Sequence, residues 1–307
     1  MTPLHRYRSV PPYTWQSRAG DAMGKRQKQE ARAAFWFLAP SVAGIGILVL
    51  LPFLETVRRS FYNDPGTRFL GLENYRSVLQ NAAFQLAAAN TGKLMLFSIP
   101  MLLAISLILA LMVQPMGRRG QLFRTSFLFP LAIPVASVSL LWQVVFADGG
   151  LANGLLKGLG AEPVSFMGST AAFWVLIFTF LWKNSGYHMV LWLSGMDGIS
   201  PALYEAASLD GANGWQKLVY ITLPNLLPTL GMLWVVGLIN TFKVFREAWL
   251  VAGSYPHESM YLVQHLFQNW FSALDIGRLS AGAVMMAAAL LGGIALVQGV
   301  MNRRADR

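Results

Sequence analysis

The sequence contains no cysteine, which excludes disulfides and thiolate chemistry. It is also short of acids and imidazoles: 14 Asp and Glu and only 4 His among 307 residues. These are scattered mainly through loops and tails. An integral-membrane enzyme, the rival reading from another functional class, would need a cluster of acid, base or metal-ligand residues at one depth. His257-Glu258 begins like His-Glu-x-x-His, but position 261 is Tyr261, so no zinc-protease site is expected and no metal site is assigned. The chain also lacks a Gly-x-x-x-x-Gly-Lys-Ser/Thr phosphate loop, so it is not expected to hydrolyse ATP itself.

Charge is sparse at 12%, against 55% hydrophobic residues and a mean hydropathy of +0.46. A soluble domain carries roughly twice that charge fraction. Six charge-poor runs approach or exceed the about 20 helical residues that cross a bilayer. They lie between Arg32 and Glu55, Lys93 and Arg118, Arg124 and Asp148, Glu162 and Lys183, Lys217 and Lys243, and Arg278 and Arg303. The expected spans are 35–54, 91–113, 125–146, 170–194, 228–251 and 279–301. Lipid offers the backbone no hydrogen bonds, so the spans are helices. The expected fold class is all-α, a polytopic membrane protein with six transmembrane helices.

The net charge of +10 has a topological explanation. Basic residues gather in the N-terminal tail (Arg6, Arg8, Arg18, Lys25, Arg26, Lys28, Arg32), in the loop Arg118-Arg119 to Arg124, and in the tail Arg303-Arg304 to Arg307. Six spans put all three on one side, and the positive-inside rule makes that side cytoplasmic, with both termini there. A nucleic-acid partner is not expected, because these groups flank membrane spans. The polar N-terminal segment is too long for a typical cleaved signal, so the first helix is expected to be retained.

One polar loop, 197–224, breaks the basic trend: Asp197, Glu205 and Asp210 stand against Lys217. Ser200-Pro201 is a helix start, with a side-chain acceptor at the N-cap and proline in the first turn. Asp210-Gly211 is a stop, since glycine accepts the left-handed conformation. A second helix is expected over 212–220, leading to Leu223-Pro224. Two short helices with a glycine bend make a compact knob. Ala206 and Ala207 let a partner surface approach closely, and Glu205 offers it a carboxylate.

Polar groups inside spans are costly and mark functional candidates. In the fourth span these are Lys183, Asn184, Tyr187 and His188; Asn184, Tyr187 and His188 share a face by three-to-four spacing. In the fifth they are Asn240, Thr241 and Lys243. Contact with a polar solute and hydrogen bonding within the bundle are the two roles open to them. Arg246 and Glu247 are expected to form a local ion pair near the outer surface. His188 and His265 are expected as polar packing residues, and Trp36 and Trp142 as interfacial anchors.

The motif Glu205-Ala206-Ala207 with Gly211 six residues after the Glu, then Ile221-x-Leu223-Pro224 ten residues after the Gly, resembles the EAA loop of permease subunits of binding-protein-dependent ABC importers. The likeness extends to the maltose-type, carbohydrate-uptake branch. Gly71-Leu72-Glu73-Asn74-Tyr75, Asn90-Thr91, Gly120-x-x-Phe123-Arg124 leading to Phe129-Pro130, Trp182-Lys183 and Phe242-Lys243-Val244-Phe245 are similar to family segments. Gly253-Ser254-Tyr255-Pro256 departs from the usual Gly-Gly-Gly-Pro. The resemblance implies an ABC type I importer permease fold in the bacterial inner membrane. The resemblance covers roughly residue 35 to the C-terminus; with the charge pattern, the expected domains are 1–34 as a cytoplasmic tail, 35–302 as the permease domain and 303–307 as a second cytoplasmic tail. It implies that Glu205, Ala206, Ala207, Asp210, Gly211, Ile221, Leu223 and Pro224 dock an ATPase, and that Lys183, Asn184, Tyr187, Asn240, Thr241 and Lys243 line the sugar path. The partners implied are a second permease subunit, an ATPase dimer using ATP and Mg, an extracytoplasmic sugar-binding protein and membrane lipid. No cofactor is expected on this chain. An importer for another solute, such as glycerol phosphate, is the alternative that Lys183 and Lys243 keep open.

Overall fold

The structure, a computed structural model, describes residues 34–305, without the side chains of Arg118, Val300 and 302–305. The basic residues of both tails that orient the chain therefore lie outside the described residues or side chains. The chain falls into two units, Met1–Arg58 and Arg59–Arg307. The described part of the first lies in the helix α1 (Ala34–Arg59), whose last residue opens the second unit; α1 is the expected first span and carries Trp36, Pro40 and Pro52. Its turn Gly46–Leu50 widens to π geometry, and the Leu51 N–H bonds to the Gly46 carbonyl five residues back. Pro52 follows directly. A proline ring clashes with the carbonyl four residues before it, and a wider turn relieves that contact.

The second unit is helical; its single extended contact among the described residues is the bridge Tyr62–Phe69. In chain order come α2 (Glu73–Gln80), α3 (Ala82–Val113), α4 (Gly120–Ala132), α5 (Val135–Phe146), α6 (Leu151–Gly158), α7 (Ala171–Asp197), α8 (Pro201–Leu209), α9 (Gly214–Lys217), α10 (Leu223–Asn225), α11 (Leu227–Lys243), α12 (Phe245–Ala252), α13 (Val263–Ser272) and α14 (Ile276–Ala305). The central pair is α3 and α7, with α4 against α7, α11 against α3 and α12 against α5. Ile99, Leu103, Met189, Trp192, Leu193 and Leu233 fill the junction of α3, α7 and α11. Leu94, Leu102, Leu176, Phe180 and Ala248 continue the core between α3, α7 and α12. The Trp192 indole N–H donates to Ser106 Oγ across the central pair at 3.1 Å, and Ser106 in turn donates to the Leu102 carbonyl. Where α4 crosses α7 the backbones nearly touch: a Cβ on Gly186 would stand 1.9 Å from the Phe127 carbonyl oxygen. Large apolar side chains such as Leu96, Ile108, Leu140, Val144 and Leu296 remain exposed, the surface a lipid solvent requires and water penalises.

Five stretches are long and apolar enough to cross a membrane: 34–59, 82–117, 135–158, 227–252 and 276–299. The expected fourth span coincides with the 27-residue helix α7, which is long enough to cross but is not among the five. The expected third span, 125–146, is not one helix. It breaks at Ile133, which is extended, ahead of Pro134. The residue before a proline is pushed out of the helical region, and that explains the break.

Trp142 is not an interfacial anchor. Only 6% exposed, it packs among Phe146, Phe178 and Trp182, with ring centroids 5.4 to 5.6 Å apart.

Candidate functional site

Two sites carry the chemistry. The first is a cavity of about 440 Å³ walled by α7, α11 and α12, with Leu131 and Val135 closing one side. Its polar lining is Lys183, Asn184, Tyr187, Asn240, Lys243, Arg246 and Glu247. Five of the six residues assigned to the solute path from sequence thus share one cavity. Thr241 is the exception. It is buried, and its hydroxyl donates to the Gly237 carbonyl at 2.9 Å, closing on its own helix as threonine does in apolar surroundings.

The helical repeat explains the convergence. Phe180, Lys183, Asn184 and Tyr187 recur at three and four residues along α7, and Asn240, Lys243 and Glu247 do so across α11 and α12. Asn184 is 7% exposed and donates its amide to the Phe180 carbonyl at 2.8 Å. Lys243 Nζ donates to Asn240 Oδ1 at 3.0 Å. His188 turns away into the core: it is fully buried, and its Nδ1 lies 3.1 Å from the Asn184 carbonyl. The packing role expected for it holds.

The expected Arg246–Glu247 pair does not form. Successive helical residues point about 100° apart and do not face each other. Glu247 instead bonds to Lys183 across the cavity wall, with side chains 4% and 18% accessible. Sequence reasoning missed this pair. The spacing Asn240, Lys243, Glu247 was the available signal, since it sets the carboxylate on the cavity face.

The second site is the knob. Helix α8 ends in two bonds: Gly211 N–H to the Ser208 carbonyl at 3.2 Å, and Ala212 N–H to the Ala207 carbonyl at 2.9 Å. With Gly211 at φ 77°, this is a Schellman close, the stop that Asp210-Gly211 predicts. The start differs. Ser200 has the N-cap backbone but makes no side-chain cap bond. The second helix begins at Gly214 rather than 212, because Asn213 and Gln216 form a reciprocal capping box. It widens to a π turn over Leu218–Thr222, with Leu223 N–H bonded to the Leu218 carbonyl, again directly before a proline, Pro224.

Two side-chain bonds brace the knob: Tyr204 Oη to Thr222 Oγ1 at 3.0 Å, and Lys217 Nζ donating to Ser208 Oγ at 2.7 Å. Glu205, Ala206 and Asp210 are exposed, Ala207 and Ile221 half-buried, and Leu223 and Pro224 exposed. Glu205 makes no ion pair among the described residues. Leu209, Trp215 and Tyr220 stand out by 90%, 71% and 76%. Sequence reasoning did not single these three out, although they make the knob's outward face apolar.

The other resembling segments serve as staples. Asn74 Nδ2 donates to the Ser60 and Tyr62 carbonyls at 3.0 and 2.7 Å. Asn90 Nδ2 donates to the Glu258 and Tyr261 carbonyls at 2.6 and 3.1 Å, and Thr91 Oγ1 accepts from Val263 N–H. The loop before α13 is thereby pinned to α3. His265 sits there within rings of Phe245 and Tyr261. Burial pushes its pKa down to about 4, so it is a neutral packing residue, as expected.

The family description "Binding-protein-dependent transport system inner membrane component" matches residues 102–306. The chain belongs to that family. It is therefore a permease subunit of an ABC importer and a multi-pass inner-membrane protein. Relatives include the trehalose/maltose transport system permease protein MalF of Thermococcus litoralis, 27% identical over 85% of this chain and 90% of that protein. The sulfoquinovosyl glycerol transport system permease protein SmoG of Agrobacterium fabrum is 30% identical over 83% of this chain and 85% of its own. A bacterial ABC transporter that imports the acidic polysaccharide alginate superposes with a TM-score of 0.79 at 22% identity, covering 91% of this chain and 98% of that one. That likeness establishes the importer-permease fold for this subunit.

Proposed function

We propose that this permease provides half of the path for a saccharide, that the cavity of α7, α11 and α12 is where the solute touches it, and that the 197–224 knob docks the ATPase. The cavity carries the reading: Lys183, Asn184, Tyr187, Asn240 and Lys243 are polar residues inside apolar helices, and they meet in one space. The names of the relatives MalF and SmoG support a saccharide. The other half of the path is a second permease subunit. An extracytoplasmic binding protein delivers the solute, and an ATPase dimer uses ATP and Mg. Hydrolysis is not this chain's task. Both termini are assigned to the cytoplasm, with 1–34 and 303–307 as tails.

The connectivity gives the coupling a physical route. The knob lies between the two helices that wall the cavity: α7 enters it and α11 leaves it. From Leu227 to Asn240 the helix rises about 1.5 Å per residue, roughly 20 Å in all. A displacement of the braced knob is carried along α11 to Asn240 and Lys243.

The test is uptake per purified complex in proteoliposomes. Asn240→Ala or Tyr187→Ala removes a neutral hydrogen bond worth on the order of 1 kcal/mol, a several-fold loss, with complex yield unchanged. Lower yield with normal uptake per complex would assign both residues to bundle packing.

A further inference from the structure

The cavity holds more positive than negative charge. Lys183, Lys243 and Arg246 face a single carboxylate, Glu247, and that carboxylate is committed to Lys183. Lys243 reaches only the neutral Asn240 amide, at 3.0 Å. Arg246 has no ion-pair partner among the described residues. Among the described residues, these two cations have no counter-charge. They stand three residues apart, one helical turn, on the same wall.

Cations that line a cavity among membrane helices are rare, and they pair with a counter-charge or serve a solute path. A neutral sugar does not require two unpaired cations, because amides and hydroxyls satisfy its hydroxyls at lower desolvation cost. An anion does. Arginine's planar fork grips a carboxylate or phosphate through two parallel bonds, while lysine adds a mobile point charge.

We propose that the solute is a saccharide bearing an anionic group, a carboxylate or a phosphate, received jointly by Lys243 and Arg246. Asn184, Tyr187 and Asn240 then meet its hydroxyls, and the Lys183–Glu247 pair neutralises the third cation, leaving Lys243 and Arg246 for the anionic group. The inference rests on the cavity being the solute path.

The test reads solute binding to the purified permease–ATPase complex without binding protein, by saturation-transfer NMR, so that the binding protein's selectivity does not enter. The probes are digalacturonate, glucose 6-phosphate and neutral α-1,4-galactobiose, on wild type, Lys243→Gln, Arg246→Gln and Asn240→Ala. Both cationic residues are accessible in this chain, and their glutamine variants should fold. An anionic probe should bind more tightly than galactobiose. Each glutamine variant should weaken it by roughly tenfold or more, the effect of losing a charge-assisted bond, and weaken galactobiose by far less. Which of digalacturonate and glucose 6-phosphate wins separates a carboxylate from a phosphate. Galactobiose binding as tightly as both anions, with the glutamine variants silent and Asn240→Ala weakening it, would overturn the anionic solute and leave the path intact. Binding of all probes unaffected by all three variants would remove the cavity from the path altogether. Wild-type preference for galactobiose over both anions would show the cations neutralised by the second subunit, and would overturn the proposal as well.

Discussion

At the scale of single residues, the Lys183–Glu247 pair is the most consequential contact in the cavity wall. Removing one partner of a buried pair leaves an unmatched charge and costs up to about 3–5 kcal/mol. The cost is at the lower end here, because Lys183 remains 18% accessible. Glu247→Gln should therefore lower the melting temperature of the detergent-purified complex measurably. The double variant Lys183→Met/Glu247→Leu should recover most of that loss, since apolar replacement of both partners removes the unmatched charge. An unchanged melting temperature for Glu247→Gln would show the pair to be energetically idle. The polar candidates themselves were legible: Asn184, Tyr187 and Asn240 interrupt apolar helices, and the interruption is visible in a string of letters. The partner of Glu247 was not. It lies 64 residues away, and which of Lys183, Lys243 and Arg246 it takes depends on how α7 and α12 pack. Thr241 misled for a related reason. A hydroxyl in lipid can bond to its own helix, and composition does not distinguish that from a solute contact.

At the scale of elements, charge-free runs marked the first, second, fifth and sixth spans, because a charge in lipid is costly wherever it sits, whereas the third run holds a break and the fourth helix carries Lys183. Caps were partly legible. Gly211 adopts the left-handed conformation that glycine alone accepts without strain, whereas Ser200 caps by backbone shape without a side-chain bond. The start at Gly214 turns on Asn213 and Gln216, a box that is plain once seen and easily passed over inside a loop. Less legible were the π turns before Pro52 and Pro224 and the break at Ile133-Pro134. Proline announces a perturbation, but whether the helix widens, continues or breaks is decided by its neighbours. The assigned sidedness of the spans has a direct check. Reporter fusions at Arg307 and within residues 148–162 should report opposite faces of the membrane; the same face for both would refute the six-span topology.

At the scale of the whole molecule, the proposed coupling joins two parts of the subunit. One is a knob whose shape depends on a glycine bend, a capping box and two side-chain braces. The other is a cavity whose polar groups are set by helical repeat on α7, α11 and α12. The chain enters the knob from one cavity helix and leaves it along another, so the proposed coupling needs no separate transmission element. The central claim is that the knob joins ATP hydrolysis to movement of solute through the cavity. Gly211 sits at φ 77°, which proline's ring, fixed near −65°, cannot adopt. Glu205→Arg reverses the charge that the knob offers its partner. The most direct measurement is ATP hydrolysis and solute uptake in the same proteoliposomes, holding the complete importer with Gly211→Pro or Glu205→Arg. The account predicts normal membrane insertion with the ratio of uptake to hydrolysis collapsed in both variants; wild-type uptake per ATP in both would contradict it.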